Sequence, residues 1–222
     1  MAAIPLALAT LVVANLAALR SRRSDTGELY GSLPAPERAR TLAHLLSVVF
    51  ASAVCCLAVV AGFLVYETQG GLQVTRAGET AVPSLAELAQ GPVVVALLGA
   101  VGVALARWLP YLPVAPLAGI AILWIEIPWW NLQSGYVWFA PVVNPARTGP
   151  HSSWPCDYDQ DWPCVLERLA SGEMAWHLLY LAGLIVTACA LALARERPRK
   201  RAALAAAGGI SVAVVAGILQ LP

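Results

Sequence analysis

Long apolar stretches alternate with short polar segments along this chain of 222 residues. Several mostly apolar runs reach the length at which a helix crosses about 30 Å of hydrocarbon. We predict six membrane-spanning helices, over residues 3–19, 43–66, 92–109, 111–130, 174–194 and 202–220. Only Pro110 separates the third from the fourth, which predicts a tight hairpin, and Pro113, Pro116 and Pro128 predict a kinked or broken fourth span.

Composition supports the same class of protein. Hydrophobic residues make up 59% of the chain and charged residues 12%, whereas a soluble domain carries about 25% charged residues. Basic residues occur only in the short segments that flank the spans, which argues against a nucleic-acid partner. We therefore expect an all-α, polytopic helical bundle that forms one integral-membrane domain. In the last span, Gly209, Ala213 and Gly217 form a small-xxx-small face for close helix packing.

The distribution of basic residues predicts the orientation in the membrane. Short segments on one side collect most of them, and the cytoplasmic side of a membrane protein is the basic one. Both termini are then outside. The positive charge follows the first apolar run, which disfavours a signal peptide there. A single lysine among many arginines, with abundant alanine, indicates a GC-rich bacterium and hence a bacterial plasma membrane. The basic side has Arg20, Arg22, Arg23, Arg38, Arg40, Arg107, Arg195, Arg197, Arg199, Lys200 and Arg201; the other has Arg76, Arg147 and Arg168.

The cytoplasmic segment 20–42 has its own local pattern. Asp25 and Glu28 have the spacing of a capping box, which predicts a short helix over about 26–32. The segment Leu33–Pro36 then ends that helix, because each proline lacks an N–H and restricts the residue before it. A second helix begins near Pro36 or Glu37 and enters the membrane through His44. The same arginines are also expected in an ordinary positive-inside connector.

This segment, RSRRSDTGELYGSLPAPERARTLAHLL, resembles the coupling loop of type-2 ATP-binding-cassette (ABC) exporter permeases. The later segment HLLYLAGL, around His177, resembles the last spans of actinobacterial members of that family. His44 stands where that family usually has a lysine. The coupling loop of the family usually follows the second span, whereas here it follows the first, and an additional span closes the chain. The resemblance implies that an ATPase-docking motif is formed by Thr26, Gly27, Glu28, Leu29, Tyr30, Leu33 and Pro34.

The resemblance also implies a function. The chain would be the permease subunit of an exporter that moves a substrate outward, and it would pair with a second permease copy or a paralogue, with membrane lipid around it. Energy would come from a separate cytoplasmic ATPase subunit, which binds the ATP. The chain has no G-x-x-x-x-G-K-[ST] loop and no convergent acid–base or nucleophile set, so we expect no catalysis and no cofactor of its own.

The predicted outer loop, 131–173, contains two cysteines. Cys156 and Cys164 are most simply a disulfide in an oxidising compartment, which would stabilise the fold by roughly 2–3 kcal/mol. A metal site that uses these cysteines with neighbouring aspartates is the alternative. The aspartates imitate a calcium loop, but Trp162 stands where that loop needs glycine and Arg168 where it needs glutamate.

Candidate pathway residues lie near the outer end of the fourth span. Glu126 is an ionisable residue close to membrane depth, where such groups usually face a cavity, although it is also near the interface. Trp129 and Trp130 belong either to an anchoring tryptophan belt or to an element that closes a pathway. His44 and His177 are expected to be interfacial anchors, and a proton relay is the alternative.

An alternative function remains open at this point. The chain could be a membrane assembly factor or sensor that does not transport and that works through its outer loop.

Overall fold

The computed structural model of the chain describes residues 3–23, 36–68, 84–129, 139–142, 146–148, 166–168, 174–195 and 199–220. The elements in these ranges are six helices and two short strands. The helices are α1 (Ala3–Arg23), α2 (Glu37–Thr68), α3 (Leu85–Trp108), α4 (Val114–Trp129), α5 (Met174–Ala194) and α6 (Arg199–Leu219), and the strands are β1 (Ala146–Thr148) and β2 (Leu166–Arg168).

Five of these helices are long and apolar enough to cross a membrane, and α4 is the shorter one. At 1.5 Å per residue, the 16 residues of α4 reach only about 24 Å, less than the ~30 Å hydrocarbon core. The 32 residues of α2 reach about 48 Å, so part of this helix extends beyond the hydrocarbon. The length and the apolar composition of these helices confirm the prediction of a helical, multi-pass membrane protein.

Helix α3 is the centre of the bundle and packs against α1, α2, α4 and α5. Val94, Val95 and Val103 are almost fully buried in it, as expected for a helix that is apolar on all faces. The helix begins at Leu85, earlier than the predicted span, because Ser84 and Glu87 form a capping box. The Ser84 N–H donates to Glu87 Oε2 at 2.6 Å, and the Glu87 N–H donates to Ser84 Oγ at 3.3 Å.

Helices α1 and α3 run in parallel and approach each other closely. A Cβ atom on Gly102 would overlap the carbonyl oxygen of Leu11, so this contact needs a residue without a side chain. The buried Asn15 side chain donates through Nδ2 to the Gly102 carbonyl oxygen at 3.1 Å. A polar side chain therefore connects the two helices inside the apolar bundle, as is common between membrane helices.

Helices α5 and α6 form an antiparallel pair through small residues. A Cβ atom on Gly183 would lie 2.7 Å from both Ala213 N and Gly209 O. A Cβ atom on Gly209 would lie 2.8 Å from Gly183 O. The predicted small-residue face of the last span is confirmed, and Gly217 continues it toward Phe139 and Tyr180.

Contacts at the helix ends show that α3 and α5 also run in parallel. The indole Nε1 of Trp108, at the end of α3, donates to the carbonyl oxygen of Leu191, near the end of α5, at 2.8 Å. The chain must therefore return across the bundle between these two helices. Helix α4 makes this return, and its Gly119 lies beside Leu8 and Leu11 of α1. Helices α1, α3 and α5 thus alternate in direction with α2, α4 and α6.

The connection between α3 and α4 is longer than the single proline of the predicted hairpin. It spans residues 109–113 and contains two close backbone contacts, from Tyr111 N to Leu109 O at 2.7 Å and from Val114 N to Tyr111 O at 3.3 Å. Helix α4 is continuous in spite of its prolines. Pro116 lies in its first turn, where the missing N–H has no partner to lose, and Pro128 precedes its last residue. The predicted break within this span is therefore wrong, and the predicted kink stays a prediction.

The two strands lie in the segment predicted to be the outer loop, a feature that the all-α prediction did not include. They pair antiparallel, with Ala146 opposite Arg168 and Thr148 opposite Leu166. In the sequence, Cys156 and Cys164 fall between β1 and β2. They are outside the described residues, so their disulfide stays a prediction.

Candidate functional site

Basic residues collect at one end of the bundle, which we call the Arg107 end. Here α1, α3 and α5 finish and α2 and α6 begin. Every arginine and lysine of the six helices lies in a turn at this end, whereas Glu37 is their one acidic residue there. The remaining helical acids, Glu67, Glu87 and Glu126, lie toward the opposite end. The Arg107 end is therefore strongly positive.

An ion pair at this end connects α2 to the central helix. The Arg107 guanidinium contacts Glu37 Oε1 at 2.7 Å, and the side chains of Arg107 and Glu37 are 7% and 51% exposed. A buried charge is costly unless a partner compensates it. Glu37 lies in the first turn of α2, where a negative charge also favours the helix dipole. The first residue of α2 is thus held against the last turn of α3.

The ends of α3 and α5 satisfy each other's polar groups. The last carbonyl groups of a helix have no partner within that helix. Arg195, just beyond α5, donates to the Arg107 carbonyl oxygen. Trp108 donates in the other direction to Leu191. Helices α2, α3 and α5 are consequently connected at one level of the bundle, around Arg107.

A small pocket of about 50 Å³ lies beside this connection, and we call it the Arg107 pocket. It opens between α1, α2 and α3. Ala18 and Val103 supply its apolar wall, and the polar wall consists of Glu37, Arg40, Thr41, His44 and Arg107. His44 is thus a pocket residue, which refines its predicted role as an interfacial anchor.

A second polar cluster lies at the opposite end of the bundle, which we call the His177 end. His177 of α5 and Gln220, directly after α6, are both fully buried. The imidazole Nδ1 lies 3.1 Å from Gln220 Oε1, and Nε2 lies 3.5 Å from the Pro141 carbonyl oxygen. Tyr180 donates to the Phe139 carbonyl oxygen at 3.2 Å. These contacts hold the segment 139–142 and the end of α6 against α5, and the prediction that His177 anchors in the headgroup region is wrong.

The predicted docking motif lies outside the described residues, which resume at Pro36. The same holds for Trp130 and for both cysteines of the predicted disulfide. Glu126 and Trp129 belong to the last turns of α4, and their proposed roles in a pathway stay predictions. In the described ranges no group of three or more histidine, cysteine, aspartate or glutamate residues could hold a metal ion.

The pairing of Arg107 with Glu37 is the feature that sequence reasoning missed. In the sequence, Arg107 stands out only as one of the basic residues that predict the orientation, and Glu37 only as the start of a helix. The available signal was the position of Glu37 as the one acid among the basic helix ends. Buried charges in membrane proteins usually have a partner, so Glu37 was the natural candidate for any arginine inside the bundle.

The fold defines a multi-pass helical membrane protein with a basic end, where the buried Arg107 is ion-paired with the half-exposed Glu37. Comparison of the chain with protein-family models, with curated proteins and with solved structures gave no match.

Proposed function

We propose that this chain is the transmembrane subunit of an ABC exporter, with both of its termini outside and the Arg107 end in the cytoplasm. A separate cytoplasmic ATPase would dock on the segment 24–40 and supply the energy. A second permease copy or a paralogue would complete the transporter.

One observation supports this proposal beyond the sequence resemblance. The segment that resembles a coupling loop leads directly into α2, whose first residue, Glu37, is ion-paired with Arg107 of the central helix. Arg195 of α5 in turn contacts the Arg107 backbone. A displacement of the loop would therefore reach three helices at once, which is what coupling to an ATPase requires.

The proposed mechanism is mechanical. Closure of the two ATPase subunits on ATP moves the docked loop and its elbow, Leu33–Pro36. The movement passes into α1 and α2, which flank the loop, and through the Glu37–Arg107 ion pair into α3. The bundle then opens a path toward the outside, near the end of α4 that carries Glu126 and Trp129. The energy for transport would come from ATP bound by the partner ATPase, because the sequence of the chain contains no nucleotide-binding loop.

Affinity purification of the tagged chain from its native membrane tests this proposal. We expect an ATPase with a Walker loop to co-purify in mild detergent. Replacement of Glu28, Leu29 and Tyr30 by serine should remove most of that ATPase, because the proposed contact surface is lost, while the membrane protein itself remains in the membrane.

A matched control is a triple replacement on the other side of the membrane. Gln73, Val74 and Thr75 lie in the predicted outer segment between α2 and α3, and their replacement by serine should leave co-purification unchanged. Retention of the ATPase by the Glu28–Tyr30 variant would show that the docking surface is elsewhere. Absence of any ATPase from the wild-type preparation would favour an assembly factor or sensor.

A further inference from the structure

We propose that the connection between α3 and α4, residues 109–113, inserts into the surface of the bilayer at the Arg107 end, where the lipid headgroups meet the acyl chains. Lipid, and not water or a second protein, covers this connection. The insertion requires neither an ATPase partner nor a particular side of the membrane for the Arg107 end.

The side chains around this connection form an exposed apolar patch. Residues 108–125 contain no charged residue and no serine, threonine, asparagine or glutamine. An exposed apolar patch on a protein marks contact with a membrane or with another protein. Four large apolar or aromatic side chains around the turn are between 47% and 62% exposed, namely Trp108, Leu109, Tyr111 and Leu112.

The backbone of the connection depends little on water for its hydrogen bonds. Backbone N–H groups that lie close to hydrocarbon must find their acceptors within the protein. Pro110 and Pro113 have no N–H. The N–H groups of Leu109, Tyr111 and Val114 donate to backbone carbonyl oxygens at 2.7, 2.7 and 3.3 Å. The turn can therefore leave bulk water at low cost.

The length of α4 holds the connection close to the membrane. The charge-free part of α4, from Val114 to Ile125, reaches only about 18 Å at 1.5 Å per residue, whereas the hydrocarbon core is about 30 Å thick. The next residue, Glu126, is charged, and charged residues avoid the hydrocarbon. The apolar chain that completes the crossing must then come from the connection, which cannot extend far into water.

Trp108 sets the depth of the connection. Its indole Nε1 donates to the Leu191 carbonyl oxygen at 2.8 Å, which fixes the ring at the level where α3 and α5 end, with about half of the residue exposed. Tryptophan and tyrosine are enriched at the headgroup level of membrane proteins, so Trp108 and Tyr111 fit this boundary together.

The apolar patch continues along α4, which favours lipid as its partner over a soluble protein. Leu117, Ile120 and Trp124 are at least 51% exposed, and their spacing places them on one face of the helix. A bilayer covers this face along its whole length. A protein that docks from the aqueous phase could reach only the turn.

Electron paramagnetic resonance of a nitroxide attached to Leu112→Cys tests the proposal. The sample is the purified full-length chain, with its five native cysteines replaced, in vesicles of phosphatidylglycerol and phosphatidylcholine. Oxygen, which dissolves in lipid, should relax this nitroxide more than a water-soluble nickel chelate does. Tyr111→Cys is a second position that should give the same result if the first variant does not fold.

Two exposed positions provide the controls. Lys200→Cys, in the first turn of α6 at the same end, should be relaxed more by nickel. Leu57→Cys, within α2 and 70% exposed, should be relaxed more by oxygen. If the label at Leu112 behaves like the label at Lys200, the connection lies in water and the proposal is overturned. If neither reagent reaches Leu112, protein covers the connection and the assignment to lipid is equally disproved. Because these vesicles contain no ATPase, neither outcome bears on the proposed exporter function.

Discussion

Glu37 and Arg107 show how one ion pair can define the end of a membrane bundle. The Arg107 side chain is almost fully buried in the protein, and Glu37, in the first turn of α2, contacts it. The arrangement satisfies a charge that the apolar interior would otherwise exclude. Because the ion pair connects the start of α2 to α3, a movement of the segment that precedes α2 would also act on α3.

Replacement of Glu37 by glutamine should destabilise the protein. Removal of one partner from a fully buried pair costs about 3–5 kcal/mol, and the half exposure of Glu37 lowers our expectation to about 1–2 kcal/mol. Thermal unfolding in detergent measures the loss. Glu67→Gln, at the other end of the same helix and exposed, should leave the unfolding temperature unchanged. If the two variants unfold at the same temperature, the ion pair between Glu37 and Arg107 does not stabilise the protein.

His177 has the corresponding role at the opposite end. Its imidazole lies between Gln220 and the Pro141 carbonyl with no exposure to solvent. His177→Ala should lower stability by about 2–4 kcal/mol, since it creates a cavity and leaves buried polar groups without a partner. His44→Ala, at a partly exposed position, should cost clearly less. A ranking in the reverse order, measured by thermal unfolding, would refute this view of the His177 cluster.

At the scale of single residues, the positions of the charged side chains could be predicted from the sequence, but the ion pairs that they form could not. The arginines at the helix ends are visible as a pattern, and that pattern is enough for orientation. The contact between Glu37 and Arg107 joins residues 70 positions apart in the chain. It depends on how α2 and α3 pack, which no local pattern contains.

Among the helices, the pair α5 and α6 depends most visibly on small residues. Gly183 and Gly209 bring two backbones together, and in a membrane this kind of packing replaces the hydrophobic effect as the source of association. Gly209 also lies beside Thr187, whose hydroxyl oxygen would be 2.5 Å from an added Cβ atom.

Gly209→Ala should therefore destabilise this helix pair, by about 1–3 kcal/mol, as expected for overpacking of a close contact. Its neighbour provides the control, because a Cβ atom on Gly208 would have nothing within 4 Å. Gly208→Ala should be neutral or slightly stabilising, since alanine favours the helix. If the two variants unfold at the same temperature, α5 and α6 do not pack through Gly209.

The helices themselves were largely predictable, because a length of apolar sequence is a direct physical requirement of the bilayer. The errors lie where local chemistry competes with hydropathy. The Ser84–Glu87 capping box extends α3 beyond its apolar part. The prolines of α4 lie in its end turns and do not interrupt it. The capping residues of α3 and the end positions of the α4 prolines can both be read from the sequence. A hydropathy profile alone does not use them.

For the whole molecule, the parallel course of α3 and α5 is the most informative feature. It requires the chain to cross back between Trp108 and Met174, and α4 is the described helix that does so. Although α4 is short, the preceding residues 109–113 add to its reach. The first residue of α1, Ala3, and the last residue of α6, Leu219, consequently lie at the same end of the bundle, opposite to the Arg107 end.

The proposed exporter function depends on which side of the membrane this basic end faces. A cytoplasmic ATPase can dock on the segment before Glu37 only if that segment is inside the cell. The concentration of basic residues at the Arg107 end supports this orientation.

Cysteine labelling in intact cells tests this claim most directly. In a background in which the five native cysteines are replaced, Glu28→Cys should resist a membrane-impermeant maleimide until the cells are permeabilised. Thr75→Cys, in the segment between α2 and α3, should react in intact cells. Labelling of Glu28→Cys from outside, with Thr75→Cys protected, would contradict the orientation and with it the proposed docking of an ATPase.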